Sequence, residues 1–237
     1  MRRVEKSLVN RGVFGTLRYC LDAVGNRIRG TSSAARKARA DGEAMNAEFD
    51  RRFHTDTGGR FTVSDMDIPG RNWVYATGYG PVNATDFIQV LSERNLPYEE
   101  FAFLDCGSGK GRAVMLAAMF PFKKVIGVEF SAELHAIAEH NIRQCTTETR
   151  KCGEIELICR DVIDYDLPEL PLVIFLFNPF EGPIMANLVS KVRKSFVRHP
   201  RRLVVIYFTP KHASLWDEVE FLSKVQSDPA VYESKAA

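Results

Sequence analysis

The sequence predicts an α/β fold: a doubly wound, mostly parallel sheet with helices on both faces, preceded by a basic helical extension. Two observations carry this expectation. From residue 101 onward, short apolar runs of strand length alternate with helix-like stretches, the pattern of a parallel sheet covered on both sides. A chain of 237 residues with 45% hydrophobic composition can also core one domain of ordinary size plus an appendage, but not two large ones.

The net charge of +2 comes from 32 basic and 30 acidic side chains, so the molecule as a whole exerts no strong long-range pull on nucleic acid. The charge is unevenly spread. Up to residue 40, ten Lys and Arg stand against Glu5 and Asp22, a local excess of 10 − 2 = +8 that leaves 2 − 8 = −6 for the rest. In that segment Leu17, Leu21, Val24 and Ile28 recur at steps of four and three, which predicts an amphipathic helix over Val4 to Ile28 with a basic outer face. Its stripe is expected to dock on the main domain, with contact to a polyanionic partner or an anionic membrane as the alternatives. By composition alone the segment also fits an organellar transit peptide. Residues 30–45, rich in Gly, Ser, Ala and Arg, read as a linker or weak helix.

Between Phe49 and Pro81 the periodicity is lost, and glycines and prolines punctuate a chain that still holds Phe53, Phe61, Trp73, Tyr75 and Tyr79. A loop this long and aromatic is seldom idle. Asn83 is placed to cap a helix that runs to Glu93. Strands follow at Phe101 to Cys106, Lys124 to Glu129, Ile155 to Cys159, Leu172 to Phe177 and Arg202 to Phe208. Helices are expected at Arg112 to Phe120, Ala132 to Gln144 and Pro183 to Val197. Val219 to Val225 and Ala230 to Glu233 form a candidate antiparallel hairpin at one edge. The chain thus divides into an extension and linker, residues 1–48, and a domain, 49–237, with its core at 83–210 and a C-terminal edge at 211–237.

Five cysteines without a C-x-x-C pair suit a reducing compartment. No apolar run approaches the roughly 18 to 20 residues of a membrane span, and no signal core is visible. The expected location is cytoplasmic, and the oligomeric state stays open. The five histidines form no metal-ligand cluster; His135 and His140, five apart, do not share a helix face, so no metal is expected.

The chemistry concentrates in Phe103-Leu104-Asp105-Cys106-Gly107-Ser108-Gly109-Lys110-Gly111-Arg112, an apolar strand running into an acid and three alternate glycines before a helix. Gly107 and Gly109 remove side chains where the backbone turns sharply near a ligand. A dinucleotide site wants its third glycine at position 112, where Arg112 stands. A P-loop fails at two positions, with Leu104 for its first glycine and Gly111 for its Ser or Thr.

The stretch resembles the first motif of class I S-adenosylmethionine-dependent methyltransferases, an acid followed by G-x-G-x-G, and the resemblance extends over residues 75 to 210. It implies a Rossmann-like methyltransferase fold with S-adenosylmethionine as cofactor. It further implies that Gly107, Ser108 and Gly109 approach the methionine moiety, while Asp105 holds its amino group. Glu129, ending strand Val125-Ile126-Gly127-Val128, is placed to accept the ribose hydroxyls. Asp161 is implied as the adenine-binding acid, with Val162 on the ring face.

Phe177-Asn178-Pro179-Phe180 is similar to the N-P-P-[FY] motif of amino-group methyltransferases but lacks its second proline. It implies that Asn178, at the edge of the cofactor site, is a catalytic orienter of a nitrogen nucleophile. Tyr79, with Tyr75 second, is the candidate wall of the methyl pocket, because related enzymes fold a segment such as 49–82 over cofactor and substrate. The D-x-G-S-G-x-G loop with Gly127-Val128-Glu129 is similar to that of the non-SET protein-lysine methyltransferases, which favours protein lysine as acceptor. A nucleic-acid acceptor bound through the basic N-terminus, a small-molecule acceptor, or a non-catalytic cofactor-binding protein are the alternatives.

Overall fold

The computed structural model describes residues 33–63, 72–144 and 149–234. The amphipathic helix expected over Val4 to Ile28 lies outside these residues. Seven strands form one sheet: β1 (Ala102–Cys106), β2 (Lys124–Glu129), β3 (Glu154–Cys159), β4 (Leu172–Phe177), β5 (Leu203–Phe208), β6 (Leu222–Ser227) and β7 (Ala230–Ser234). Their order is β3-β2-β1-β4-β5-β7-β6, with the first five parallel and β7 antiparallel to both β5 and β6. The C-terminal hairpin read from the sequence therefore exists, and its second strand inserts between β5 and β6.

The helices are α1 (Ser33–Phe53), α2 (Ala84–Ser92), α3 (Arg112–Ala117), α4 (Ala132–Gln144), α5 (Gly182–Arg198) and α6 (Ala213–Asp217). Asn83 caps α2 as expected, its side chain accepting from Thr85 N–H and Asp86 N–H. The helix expected to reach Phe120 is regular only to Ala117, and α6 has no counterpart in the sequence reading.

α1 runs through the linker and across the expected boundary between residues 48 and 49. It lacks an apolar stripe, and its helical character rests on an alanine-rich sequence with an Arg39–Glu43 pair one turn apart. Only its last turns are buried, through Phe49 and Phe53, whose rings lie 4.6 Å apart.

Strand side chains divide with a period of two. Phe103, Val125, Val173, Phe175, Val204 and Ile206 face the core beneath α2 and α3, whereas Leu104, Ile126, Ile174, Val205 and Tyr207 face the one beneath α5 and α6. Both faces of the central strands are consequently apolar, which explains the unbroken hydrophobic runs. The register sets Asp105, at the end of β1, opposite Gly127 of β2 and Phe175 of β4. Among the described residues no helix is long and apolar enough to cross a membrane.

Phe103, fully buried, meets the rings of Phe87, Phe122 and Phe175 at 5.8, 5.4 and 5.9 Å. Phe103→Ala is expected to lower the unfolding free energy by about 3–5 kcal/mol in denaturant titrations.

Candidate active site

In an open α/β sheet, ligands bind beyond the carboxyl ends of the strands where the strand order reverses. Here β1 and β4 are neighbours at that point, and the ends of β1, β2 and β4 open into a cleft that is partly continuous with solvent. Asp105, Gly107, Ser108, Gly109, Glu129, Asp161, Val162 and Tyr79 all line it. Asn178 does not line it, although its neighbours Phe177 and Pro179 do.

The glycine loop is built by its own backbone demands. Gly107 and Gly109 have φ of +85° and +53°. A Cβ on Gly109 would lie 2.2 Å from the Tyr79 ring, and one on Gly107 2.7 Å from Pro179 Cβ. The loop is thereby clasped between the aromatic segment and the end of β4.

Its N–H groups point to β2 rather than to a ligand. Gly107 N–H and Ser108 N–H both donate to the Val128 carbonyl, at 2.9 and 3.0 Å, and Gly109 N–H donates to Glu129 Oε2 at 2.8 Å. The loop offers no amide cradle at these positions for a phosphate. The Ser108 hydroxyl is buried near Gly127 and has no hydrogen-bond partner among the described residues.

The cleft is instead acidic. Glu129, 4% exposed, is oriented by Gly109 N–H and by Ser131 N–H, the latter at 2.8 Å from Oε1, so each oxygen keeps capacity for a further donor. Burial raises its pKa, and the donated N–H groups oppose that shift. Asp105, 3% exposed, accepts no hydrogen bond among the described residues. Burial, and secondarily the Glu129 charge, push its carboxyl well above the usual range. Asp161 is fixed at the cleft edge by Ile163 N–H, 3.1 Å from its Oδ1, and Val162 is buried beside it.

This donor set fits S-adenosylmethionine. An unpartnered buried carboxylate suits a ligand that carries an ammonium and a sulfonium, and two further acids repel the phosphates of a nucleotide.

The sequence profile of a family described as histone methylation protein DOT1 matches residues 73–164, which span the cleft from Tyr75 to Asp161 and stop short of Asn178. The chain is an S-adenosylmethionine-dependent methyltransferase with a Rossmann-like sheet, and over residues 73–164 it is similar to that family. Nothing among the curated proteins matches it. Among solved structures, the chain is similar to an RNA methyltransferase from Salinibacter ruber in complex with S-adenosyl-L-homocysteine (16% identity, 65% of this chain and 92% of that one, TM-score 0.43). It is also similar to an rRNA methylase from Streptococcus thermophilus (15%, 64% and 93%, 0.43) and to the yhhF protein of Escherichia coli (13%, 76% and 100%, 0.47). These likenesses are too distant to add to the topology.

The methyltransferase carries a strap, within and just before the aromatic loop read from the sequence, whose fastenings the sequence did not show. Asp50, near the end of α1, organises residues 55–58: its Oδ1 accepts from Thr57 N–H and Oγ1–H at 2.8 and 2.6 Å, and its Oδ2 from Gly58 N–H at 2.7 Å. Arg112, 3% exposed, binds Thr57 Oγ1 at 2.8 Å and Asn46 Oδ1, and lies 4.3 Å over the Phe49 ring. Lys110, equally buried, binds Asp56 Oδ1 at 2.8 Å and lies 4.8 Å over Phe61. Asn141 of α4 brackets Asp56, accepting from its N–H and donating to its carbonyl. Lys110 and Arg112 thus hold the strap, and Arg112 also lines the cleft. Their only sequence signal was the place of Lys110 between two glycines and of Arg112 at the helix start.

Tyr79 belongs to this strap as much as to the cleft. Its ring covers Gly109, and its hydroxyl donates to the Thr57 carbonyl at 2.6 Å. Burial raises the phenol's pKa far above its ordinary value.

Because burial raises the Asp105 carboxyl, its contribution to the stability of the empty protein is greatest below the ordinary carboxylate range and declines as pH rises. Asp105→Asn should therefore raise the melting temperature of the ligand-free protein at neutral pH. It should also weaken S-adenosylmethionine binding roughly ten- to a hundredfold by calorimetry. Wild-type affinity should fall as pH drops, with proton release on binding that the variant lacks.

Proposed function

We propose that this methyltransferase modifies a nitrogen acceptor, with protein lysine in first place. The observation that carries the reading is Asn178. It sits at φ +44°, in the left-handed region, and its side-chain Oδ1 is buried with no hydrogen-bond partner among the described residues. Asn tolerates that conformation better than most residues, and such outliers gather at functional sites. A buried acceptor left unsatisfied costs about 1–3 kcal/mol, which an N–H of the acceptor would recover.

The backbone around Asn178 is pinned. Thr77 Oγ1–H donates to its carbonyl at 2.6 Å, Thr77 N–H donates to Pro179 O at 3.3 Å, and Ala76 bridges Phe180. Tyr75, Phe177 and Phe180 add an aromatic wall beside it that suits a cationic centre.

In this reading Asp105 holds the cofactor's amino group, Glu129 its ribose hydroxyls, and Asp161 with Val162 its adenine. Gly107, Ser108 and Gly109 approach the methionine moiety. S-adenosylmethionine supplies a sulfonium methyl that a nitrogen lone pair displaces in line. The chain's own contribution is alignment: Asn178, set behind the cleft-lining Phe177 and Pro179, offers Oδ1 to an amine that enters between them, while Tyr79 and Tyr75 exclude water. The match to a histone-methylation family supports a protein acceptor, and the resemblance of the D-x-G-S-G-x-G loop with Gly127-Val128-Glu129 to the non-SET protein-lysine methyltransferases favours lysine. One feature favours a nucleic-acid acceptor, the +8 excess up to residue 40, and that reading predicts a steep salt dependence.

The test is a cell extract incubated with the protein and radiolabelled S-adenosylmethionine. Label is expected in protease-sensitive, nuclease-resistant material and, after hydrolysis, in methyl-lysine; nuclease-sensitive label would replace lysine with a nucleic-acid acceptor. Glu129→Ala and Gly107→Val should each weaken cofactor binding at least tenfold while circular dichroism stays native. Asn178→Ala should lower turnover roughly ten- to a hundredfold, with cofactor affinity little changed.

A further inference from the structure

We propose that the Thr77 hydroxyl is a second hydrogen-bond acceptor for the incoming amine, and that its partnership with Asn178 Oδ1 favours the addition of a single methyl. The proposal deepens the lysine reading above and rests on it.

A neutral primary amine has two N–H groups and one lone pair. A single oxygen lets the nitrogen swing about one hydrogen bond, whereas two oxygens fix the direction of the lone pair. The oxygens around Asn178 are therefore decisive. Thr77 engages two of them: its hydroxyl donates to the Asn178 carbonyl at 2.6 Å, and its N–H donates to the Pro179 carbonyl at 3.3 Å. Asn178 Oδ1 is buried and has no hydrogen-bond partner among the described residues. Thr77 Oγ1 itself keeps lone-pair capacity once its proton is committed.

Placement puts this hydroxyl with the acceptor. Thr77 lines the cleft together with Phe177 and Pro179, the two residues that flank Asn178. Because its proton already points at the Asn178 carbonyl, Thr77 Oγ1 can only accept from a ligand. An amine N–H is matched there, and a ligand oxygen without a proton finds no donor.

The degree of methylation follows from the count of N–H groups. A lysine ammonium first loses a proton to water. In the first transfer the amine gives one N–H to Asn178 Oδ1 and the other to Thr77 Oγ1, and its lone pair forms the N–C bond while the C–S bond breaks with its electrons left on sulfur. The secondary ammonium then sheds a proton to solvent. The resulting amine has one N–H for two oxygens. A second attack would press a methyl against one of them and leave that oxygen without a donor, so the second transfer is the slower.

The test incubates the full chain with cell extract and S-adenosylmethionine carrying a trideuterated methyl, with the Glu129→Ala protein as background. Mass spectrometry of the hydrolysed protein counts the methyls newly added to each lysine over time. Wild-type protein should add the first methyl roughly fivefold faster than the second, or better. Thr77→Val should slow the first transfer about tenfold and leave the second within about threefold, and Thr77→Ser, which keeps the hydroxyl, should restore the first. Both variants should keep a native circular dichroism spectrum and the wild-type affinity for S-adenosylhomocysteine by calorimetry. A wild-type enzyme whose main product carries two or three new methyls overturns the proposal. A Thr77→Val protein that slows both transfers alike does so too, since a hydroxyl that only held Asn178 in place would have that effect. Loss of S-adenosylhomocysteine affinity in Thr77→Val would assign the hydroxyl to the cofactor and overturn it as well. All of these outcomes leave methyl-lysine as the product; nuclease-sensitive label without methyl-lysine would instead sink the lysine reading itself, and this proposal with it.

Discussion

The bond from Gly109 N–H to the Glu129 carboxylate sets the character of the whole site. It ties the turn after β1 to the end of β2, and together with the two bonds to the Val128 carbonyl it spends the amides that a phosphate-binding loop would aim at its ligand. Three carboxylates face the cleft, Glu129 held in place, Asp105 buried without a donor and Asp161 at the edge, against Arg112 and Arg160 in the same lining. A glycine-rich turn between a strand and a helix is common to several ligand classes. In this chain the destination of three N–H groups separates a site for a cationic cofactor from one for a diphosphate.

A second constraint acts from above. The strap from α1 through residue 63 is fastened to the loop by Lys110 and Arg112, and Tyr79 fills the space that Gly109 leaves open. Segment 75–77 then pairs with 178–181 at the end of β4. The glycine loop and the end of β4 are therefore both tied to the chain that precedes α2, the one through residues 46–61 and the other through 75–77.

Much of this was legible in the sequence because local patterns and global fold agree. The parallel strands announce themselves as apolar runs, and the acids that end β1 and β2 stand out because an ionised side chain rarely closes a buried strand without purpose. The loop 49–82 stood out by its aromatic content, but the way it is fastened was not legible. α1 has no apolar stripe to give a period, and the bonds of Asp50, Thr57 and Asn141 join residues far apart in sequence through hydrogen bonds that leave no periodic trace. Lys110 and Arg112 could be seen but not interpreted, since a basic residue in a glycine loop looks equally suited to a ligand, to solvent or to a distant carboxylate. Asn178 was recognised by its motif, yet its unusual backbone conformation and unsatisfied oxygen emerge only in three dimensions.

The burial of Lys110 and Arg112 beneath the strap bears on how this enzyme can be re-engineered. The glycine loop is not a portable cassette: transplanted without residues 46–61, it would bring two cations whose carboxylate, hydroxyl and ring partners stayed behind. Conversely, a truncation meant to trim an apparent leader would, if it reached α1, strip the outer wall from the cofactor chamber. Chimaeras between methyltransferases should accordingly exchange both pieces as a unit.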